Sequence, residues 1–499
     1  MKENKNLFNY SLLFYRIFFI TLILKLLLSY FFPLTGDEAY FITTGQKFYL
    51  GYYEHPPMIW WLVYLFSFFG KKIHHFFFYR LLSVISTSFV SFLILKLLKE
   101  DKEKSFLISS LFLLSPINLF GILITNDTPL FIFTFLSGIF FYKGIKEEKK
   151  SDFIISGIFF GLSFLSKYFS VLYLISIFIY LLYKREKKFW KNFVLFFLVS
   201  FPFIFINLYW NYTHCWINII FNLVYRKKTE YFHAKNIVLF FLSLFFLLTP
   251  YSFYLFLKEK LFFKLKNEYD FFYFIFALPT IFLFFISLLR VVGLHWFVSF
   301  IPFYLFLLIT IEKDKIIKAI KTAVYFNGLI TIIIIFILLI PVKKFKNHPK
   351  YSEILMFKNP DALCSYLKNF KDNYVFATTN YTFSAIMTYY CKVDFIVFAD
   401  LGHSGREYDF SFDFKKIDDK DILIFSPEKI DSKNYIQFFE EIKKEKILIG
   451  EGEYYLLFCK KFNYTNYRNI ILKKTYEKFY KIPEFLPKKG NFFKEKYNL

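Results

Sequence analysis

Two short segments near the N-terminus hold the residues whose types and spacing best suit chemistry. The first reads Pro-Leu-Thr-Gly-Asp-Glu-Ala-Tyr-Phe and contains Asp37 and Glu38. The second reads Gly-Tyr-Tyr-Glu-His-Pro-Pro and contains Tyr52, Tyr53 and His55. An ionised carboxylate can accept the proton of an attacking hydroxyl, and a histidine can donate to an anion. The two segments therefore indicate acid–base chemistry on a polar or anionic substrate.

The neighbouring carboxylates Asp37 and Glu38 are not equivalent. On a helix their side chains point about 100° apart, so both do not face one substrate. Thr35 and Glu38 have the spacing of a capping box, in which the glutamate reaches back to the backbone of the N-cap residue. This leaves Asp37 as the predicted base. The alternative for Asp37 is a partner of the helix dipole in the first turn.

Four further polar residues lie at the ends of apolar runs, namely Asp127, Lys167, Arg290 and His295. Cationic side chains at such positions can bind a phosphate group. The alternatives are that Lys167 reaches towards lipid headgroups and that Arg290 and His295 anchor the helix ends. Asp127 could contact a sugar or a metal, or it could be the N-cap of the helix that begins nearby.

The composition is that of a polytopic helical membrane protein. Of the 499 residues, 56% are hydrophobic and 25% are aromatic. The apolar residues form runs long enough to approach a bilayer span, separated by short Lys-rich stretches. The 63 Lys and Arg outnumber the 39 Asp and Glu, but most of this charge lies in loops and in the tail. Nucleic-acid binding is therefore not expected.

Run length and loop charge predict about eleven transmembrane helices. Residues 152–183 are expected to form a hairpin that turns at Lys167, and residues 57–70 an interfacial or re-entrant helix. The Lys-rich loops then lie in the cytoplasm with the N-terminus. The polar residues described above lie on the opposite, extracytoplasmic face.

The chain changes character after residue 341. Extended runs predict strands at 373–379, 393–400, 421–427 and 447–459, with helices at about 360–370, 380–390 and 433–446. We therefore expect an all-α transmembrane domain over 1–341, with an external catalytic loop at 33–75. A small extracytoplasmic α/β domain is expected to follow over 342–499.

The four cysteines do not indicate a metal site. Their spacing matches neither C-x-x-C nor a Cys/His ligand pattern, so neither a zinc site nor a disulfide framework is predicted. They are Cys215, Cys364, Cys391 and Cys459. No glycine motif for nucleotide binding is present in the sequence.

The segments resemble a known family pattern. Asp37-Glu38-Ala-Tyr followed by Tyr52-Tyr53-x-His55-Pro-Pro resembles the polyprenyl-phosphate-dependent glycosyltransferases of the protein O-mannosyltransferase and lipid A aminoarabinose transferase type, in the C superfamily of glycosyltransferases. Further similar elements follow in order: Asn126 to Leu130, Leu165 to Tyr168, Trp210-Asn211 with His214 and Trp216, Gly293 to Trp296, and Gly402 to Phe410. The last element departs from the family pattern, because Glu407 stands where glutamine is usual.

The resemblance implies an enzyme that moves a single sugar from a polyprenyl phosphate to a hydroxyl acceptor, with inversion, at the outer face of the inner membrane. Asp37 would be the base. Four residues would bind the donor phosphate, namely His55, Lys167, Arg290 and His295. Four others would contact the sugar or the acceptor, namely Glu38, Tyr52, Tyr53 and Asp127.

Alternatives stay open at several of these positions. His55 could be an interfacial histidine bonded to backbone, and Tyr52 and Tyr53 fit an aromatic belt at the membrane interface. The acceptor could be lipid A or lipopolysaccharide, a glycan, or a protein, and no metal or other cofactor is assigned. A transporter or flippase of a lipid-linked sugar is the alternative function, although transport sites usually lie near the membrane midplane.

Overall fold

A computed structural model describes residues 2–70, 75–98, 101–225, 232–261, 269–398 and 405–499. The chain divides into two compact units. The first consists of Met1–Phe32, Gly70–Ile206 and Lys228–Leu338. The second consists of Pro33–Phe69, Asn207–Lys227 and Leu339–Leu499. The contact-based second unit thus groups one N-terminal segment and one central segment with the tail, whereas the sequence-based boundary at 341/342 stays a prediction.

Most of the described residues are helical. In chain order the helices are α1 Lys2–Phe31, α2 Gly36–Thr44, α3 Met58–Gly70, α4 Phe77–Leu97, α5 Lys102–Leu113, α6 Pro116–Leu119, α7 Asp127–Glu147, α8 Lys150–Phe164, α9 Ser170–Lys184, α10 Lys187–Thr213, α11 Ile217–Ile220, α12 Ala234–Leu248, α13 Pro250–Lys258, α14 Asp270–Ser287, α15 Ile301–Leu307, α16 Lys313–Leu339, α17 Tyr351–Lys358, α18 Asp361–Lys368, α19 Tyr381–Cys391, α20 Glu407–Ser411, α21 Tyr464–Tyr467, α22 Lys473–Thr475 and α23 Phe492–Tyr497.

Within the described ranges, six helices are long and apolar enough to cross a membrane. They are α1, α4, α7, α10, α14 and α16. The pair α12 and α13 would count as a seventh span but bends by 110°. The bend falls at Thr249, whose φ of 68° is non-helical, directly before Pro250. The chain is therefore a multi-pass membrane protein, and the count of about eleven spans stays a prediction.

Shorter apolar helices account for the two regions that were hardest to interpret from sequence. Residues 152–183 form two helices, α8 and α9, and Lys167 lies between them, as predicted. The region 57–70 contains the single helix α3, Met58–Gly70, of 13 residues. A helix of this length is shorter than a bilayer span, which agrees with the interfacial or re-entrant interpretation.

The second unit contains a five-stranded sheet. Its strands are β1 Val375–Thr378, β2 Phe395–Val397, β3 Ile422–Ser426, β4 Phe439–Ile449 and β5 Gly452–Phe462. Their order is β2-β1-β3-β5-β4, with β1 parallel to β2 and β3, and with β5 antiparallel to β3 and β4. The helices predicted at 360–370 and 380–390 are confirmed as α18 and α19, and the α/β character of the tail is confirmed as well.

The prediction of a helix at 433–446 is wrong. Most of this segment belongs to β4, which pairs along its length with β5. Its Lys and Glu residues suggest a solvated helix, because neighbouring opposite charges favour helices. Here the same charges lie on the exposed side chains of an edge strand, which is a common way to protect such a strand. The strand predicted at 447–459 correspondingly spans the turn between β4 and β5.

The cysteine prediction also requires correction. Cys364 and Cys391 form a disulfide that links α18 to α19, whereas Cys215 and Cys459 are free and buried. The two bonded cysteines are 27 residues apart in sequence. No short motif marks such a pair, because the fold rather than the local spacing brings the sulfur atoms together.

Candidate functional site

Helix α2 of the second unit presents the two acidic residues differently. Thr35 is the N-cap, and its hydroxyl accepts from the Glu38 backbone N–H at 3.3 Å. The Glu38 carboxylate in turn accepts from the Thr35 backbone N–H at 3.2 Å, which completes the capping box. Glu38 is fully buried, whereas Asp37 is exposed. The capping interpretation of Glu38 is confirmed, and Asp37 is the carboxylate accessible to a substrate.

Tyr381 of the tail contacts Asp37 directly. Its hydroxyl donates to Asp37 Oδ1 at 3.3 Å. Tyr381 is the first residue of α19, whose start is fixed by Asn380 because the amide oxygen of that residue accepts from the Phe383 backbone N–H at 2.9 Å. The tail thus supplies a hydrogen-bond donor to the predicted base.

The contact between α2 and α19 depends on a glycine. A Cβ atom at Gly36 would lie 2.2 Å from Cγ2 of Thr382, closer than two carbon atoms can approach. Gly36 therefore permits the backbone of α2 to approach α19 at the point where Tyr381 meets Asp37. Any larger residue at this position must displace Thr382.

Arg406 occupies the space beside Tyr381. The guanidinium carbon lies 3.6 Å from the centroid of the Tyr381 ring, and the guanidinium forms an ion pair with Glu54. Burial lowers the pKa of Arg406 below its ordinary value, and the charge of nearby Asp37 opposes that shift. Arginine keeps its charge under all ordinary conditions, so the guanidinium stacks on the ring as a cation.

Helix α20 secures the tail to the N-terminal loop through Glu407. This carboxylate accepts from the Tyr53 backbone N–H at 3.0 Å, and the Glu407 backbone N–H donates to the Tyr40 hydroxyl at 3.3 Å. Burial raises the pKa of Glu407 to about 8, so the side chain is mostly neutral at pH 7. A neutral carboxyl resembles an amide, which gives a physical reason why glutamate can stand where the family pattern has glutamine.

Asp409, in the middle of α20, also fixes this helix. Its carboxylate accepts from the Gly405 backbone N–H at 3.0 Å and from the Tyr480 hydroxyl at 2.7 Å. Burial raises the pKa of Asp409 to about 6. Lys496 donates to the backbone carbonyls of Asp409 and Phe410 at 2.8 and 3.1 Å. Residues 402–404, which begin the matching motif, lie outside the described residues.

The second N-terminal segment is buried. Tyr52 stacks on Trp60 with ring centroids 4.4 Å apart, and its hydroxyl donates to the Lys47 carbonyl at 2.7 Å. Tyr53 packs against Phe221, and His55 is also buried. The protein thus surrounds both tyrosine rings, which agrees with a packing role. The predicted contacts of Tyr52, Tyr53 and His55 with a substrate stay predictions.

Two asparagines of the 207–227 segment, in the same unit, form hydrogen bonds to the backbone of this buried N-terminal segment. Asn218 donates to the Tyr52 carbonyl at 3.0 Å, and Asn222 donates to the Glu54 carbonyl at 2.6 Å. Trp210 packs against Gly51, where an added Cβ would lie 2.2 Å from the indole. These contacts explain how a loop without regular structure keeps a fixed conformation.

In the first unit, Asp127 and Lys167 form an ion pair. The Lys167 Nζ lies 2.8 Å from Asp127 Oδ1, and the two side chains are 8% and 18% exposed for Lys167 and Asp127. Asn126, not Asp127, is the N-cap of α7, and it makes no side-chain cap hydrogen bond. The N-cap interpretation of Asp127 is therefore wrong. Its carboxylate faces Lys167 instead.

An aromatic pair links Lys167 to Arg290 in the same unit. The rings of Phe169 and Trp296 lie 4.9 Å apart. Lys167 Nζ is 5.5 Å from the Phe169 centroid, and the Arg290 guanidinium carbon is 5.1 Å from the Trp296 centroid. His295 is exposed beside Trp296. The structure therefore places two of the predicted phosphate ligands around one pair of rings.

The predicted site residues thus fall into two groups, one in each unit. Asp37, Glu38, Tyr52, Tyr53 and His55 belong to the second unit. The remaining four belong to the first unit, namely Asp127, Lys167, Arg290 and His295. Among the described residues, no group of three or more His, Cys, Asp or Glu residues is arranged to hold a metal ion.

Comparison with known proteins agrees with the predicted family. Residues 54–210 match the family model described as dolichyl-phosphate-mannose-protein mannosyltransferase. ArnT from Cupriavidus metallidurans in the apo state has a similar structure, with a TM-score of 0.60 and 12% identity. The same protein bound to undecaprenyl phosphate gives 0.59 and 11%. Each match covers 90% of this chain and 98% of that chain. No curated protein matches the chain.

The chain thus has the fold of ArnT, and residues 54–210 resemble the mannosyltransferase family. Three residues that contact the candidate base or its partners were missing from the predicted site, namely Glu54, Tyr381 and Arg406. Glu54 and Arg406 lie inside the segments that resemble the family, and their charges beside the matched positions were a usable signal. Tyr381 gives no such signal, because it is one of 39 tyrosines and only the fold places it against Asp37.

Proposed function

We propose that this chain is a membrane glycosyltransferase that moves a single sugar from a polyprenyl phosphate to a hydroxyl acceptor at the outer face of the inner membrane. The observation that carries the proposal is the exposed Asp37 carboxylate at the start of α2, which receives a hydrogen bond from Tyr381. The comparisons support the donor class. The matching family model is named for dolichyl-phosphate-mannose, and one ArnT structure contains undecaprenyl phosphate.

Asp37 acts as the base in this proposal. The acceptor oxygen attacks the anomeric carbon, and its proton passes to the Asp37 carboxylate as the new bond forms. The bond from the anomeric carbon to the phosphate oxygen breaks, and the polyprenyl phosphate leaves with the electron pair. A single displacement inverts the anomeric configuration, which is the outcome that the family resemblance implies.

Lys167 and Arg290 bind the donor phosphate. Both are cations, and the aromatic pair that separates them fixes their positions. Asp127 already balances the charge of Lys167, so a bound phosphate either joins this pair or replaces the carboxylate. His55 and His295 are proposed as further phosphate ligands, and Glu38, Tyr52, Tyr53 and Asp127 as contacts of the sugar or the acceptor. A developing phosphate charge is stabilised most by cations held in a site with little water.

The extracytoplasmic placement of the tail is also part of the proposal. The disulfide between Cys364 and Cys391 supports it, because such bonds persist in oxidising compartments and are rare in the cytosol. The Lys-rich loops support a cytoplasmic N-terminus through the positive-inside rule. In this position the enzyme would meet an acceptor of the envelope, which is lipid A or lipopolysaccharide, another glycan, or a protein.

Mass spectrometry of envelope lipids, lipopolysaccharide and protein glycans tests the proposal. Cells that contain the wild-type chain, no chain, or Asp37→Asn are compared. Loss of the same hexose, pentose, uronate or amino-sugar mass from one pool in both the deletion and the variant supports the proposal and identifies the acceptor. A deletion that changes only the distribution of a lipid-linked sugar across the membrane, with Asp37→Asn behaving as wild type, would instead favour a transporter.

A further inference from the structure

We propose that Tyr381, held by Arg406, is a positioning residue that fixes the orientation of the Asp37 carboxylate during transfer. The inference rests on the proposed role of Asp37 as the base. Asp37 is exposed in the first turn of α2, so its side chain can adopt several rotamers unless a partner restrains it. The Tyr381 hydroxyl is such a partner, because it donates to one carboxylate oxygen at 3.3 Å.

The Tyr381 ring is restrained on two sides. Arg406 lies over one face, with its guanidinium carbon 3.6 Å from the ring centroid. The buried Tyr40 ring contacts Tyr381 edge-on, with centroids 5.1 Å apart. Such contacts limit rotation about χ1 and χ2, so the hydroxyl keeps its direction towards Asp37.

The ion pair with Glu54 holds the Arg406 guanidinium in place over the Tyr381 ring. A guanidinium beside two carboxylates could form a bidentate pair with either of them. Here Arg406 is paired with Glu54, which lies on the loop between α2 and α3. The pairing with Glu54 leaves Asp37 with a neutral hydroxyl as its donor. A direct ion pair with arginine would weaken a carboxylate as a proton acceptor, whereas Asp37 accepts its hydrogen bond from the Tyr381 hydroxyl and interacts with Arg406 only through its charge.

The close approach of α2 and α19 is an independent observation that supports the same role. Gly36, next to Asp37, has no Cβ atom at the point where Thr382, next to Tyr381, is in contact. The far end of α19 is tied to α18 by the disulfide at Cys391. Helix α19 is therefore fixed at both ends, and its first residue is the one that reaches Asp37.

The first experiment separates orientation from folding and donor binding. Initial rates of sugar addition to the acceptor pool are measured in cells by mass spectrometry, and undecaprenyl phosphate is the binding probe for the purified full chain. We expect Tyr381→Phe to lower the transfer rate about five- to tenfold, the usual effect of one lost hydrogen bond, with undecaprenyl phosphate binding and protein level unchanged. Tyr390→Phe makes the same chemical change on the same helix and should leave both readouts unchanged.

The outcomes distinguish this inference from the proposed function. If Asp37→Asn retains wild-type transfer, the role of Asp37 fails and the inference fails with it. If Asp37→Asn is inactive while Tyr381→Phe keeps more than half of the wild-type rate, only the inference is rejected. A loss of probe binding or of protein level in Tyr381→Phe that matches its loss of rate would likewise reject it in favour of a purely structural role.

The second experiment tests the chain of contacts through Arg406. Arg406→Lys keeps the charge that pairs with Glu54 but removes the planar face that stacks on Tyr381. We expect a loss of rate similar to that of Tyr381→Phe, and little additional loss when the two changes are combined. Fully additive losses would mean that Arg406 does not act through Tyr381.

A rescue experiment tests the approach of the two helices. Gly36→Ala should lower the transfer rate, because the new methyl group displaces Thr382 and with it Tyr381. Thr382→Ser removes the methyl group that would clash, so the double variant Gly36→Ala/Thr382→Ser should recover most of the rate. A double variant that is folded, binds undecaprenyl phosphate and stays as slow as Gly36→Ala would overturn the proposal.

Discussion

Lys167 and Asp127 form a nearly buried ion pair, with 2.8 Å between the lysine Nζ and the Asp127 Oδ1. The lysine lies between α8 and α9, and the aspartate is the first residue of α7. A lysine that only reached towards lipid headgroups would not need a carboxylate partner that is largely shielded from water. The pair therefore holds the lysine cation at a defined position, as the proposed contact with the donor phosphate requires.

The first prediction concerns the charge of this pair. Removing Lys167 alone would leave Asp127 without its cation, and breaking a buried pair in this way typically costs about 3–5 kcal/mol of stability. The double variant Asp127→Asn/Lys167→Gln removes both charges and keeps a hydrogen-bonding pair. We expect it to fold and to bind undecaprenyl phosphate at least about tenfold more weakly than wild type, measured with the purified full chain.

The matched control is Lys184, at the other end of α9. Its Nζ lies 3.7 Å from Asp270 Oδ2, so it is also a lysine paired with a buried aspartate. The variant Lys184→Gln/Asp270→Asn should bind the probe as wild type does. Equal losses in the two double variants would show that charge in general, and not the Lys167 position, controls binding.

The second prediction concerns Arg290. If its guanidinium binds phosphate while stacked on Trp296, Arg290→Gln should weaken undecaprenyl phosphate binding about tenfold. Arg290→Lys keeps a point charge but lacks the planar guanidinium group. Its affinity for undecaprenyl phosphate should therefore lie between those of wild type and Arg290→Gln. Binding of all three proteins should be measured at low and high salt. The difference between wild type and Arg290→Gln should shrink as salt increases, because screening weakens a charge interaction.

The exposed Arg185, which follows α9, provides the control for the second prediction. Arg185→Gln removes an arginine without a predicted role, so binding should not change. If Arg290→Gln also leaves binding unchanged at low salt, Arg290 only anchors the helix end.

The third prediction uses the buried carboxyl of Glu407. Its pKa is about 8 in the folded protein, above the ordinary value of 4.5. The unfolded chain therefore releases this proton at lower pH than the folded one, and stability falls as pH rises from about 4.5 to 8. Glu407→Gln removes this dependence. The apparent Tm of the variant should equal that of wild type near pH 4.5 and exceed it at pH 8.5. The corresponding difference in the free energy of unfolding is up to a few kcal/mol.

Asp409 provides an internal check on this pH dependence. Its raised pKa of about 6 places its own stability loss between about pH 3.8 and 6. The Asp409 charge also contributes to the raised pKa of Glu407, so the comparison is made above pH 6, where Asp409 is mostly ionised in both proteins. If the difference in apparent Tm between Glu407→Gln and wild type decreased rather than increased from pH 6 to pH 8, the predicted protonation of Glu407 would be contradicted.

The sequence was sufficient to predict local features of the fold but not the contacts between distant segments. The hairpin at Lys167 and the capping box at Thr35 follow from hydrophobic length and from residues three apart, and both are confirmed. Strand β4 was mistaken for a helix, because a run rich in Lys and Glu satisfies a solvated helix and an exposed edge strand equally well. Periodicity over such a short segment does not separate the two.

In the candidate site, too, the sequence predicts local features but not the contacts between distant segments. Asp37 could be chosen over Glu38 from the sequence, because the cap uses one carboxylate and leaves the other. The partnership of Asp37 with Tyr381 joins residues 344 positions apart, and only the folded chain reveals it. Lys167 and Arg290 were chosen for their charge, whereas their shared aromatic pair depends on how α8, α9 and the segment after α14 pack together.

The last prediction concerns the disulfide between Cys364 and Cys391. It closes a loop of 27 residues, for which the chain-entropy model gives a stabilisation of about 3–4 kcal/mol. The double variant Cys364→Ser/Cys391→Ser should therefore lower the apparent Tm. It should also lower the transfer rate, because α19 carries Tyr381 at its other end.

Thiol labelling of the unfolded wild-type chain should detect two reactive cysteines before reduction and four after it, since Cys215 and Cys459 are free. Four reactive thiols in protein purified without reductant would mean that the bond does not form, and the support for an extracytoplasmic tail would then be lost.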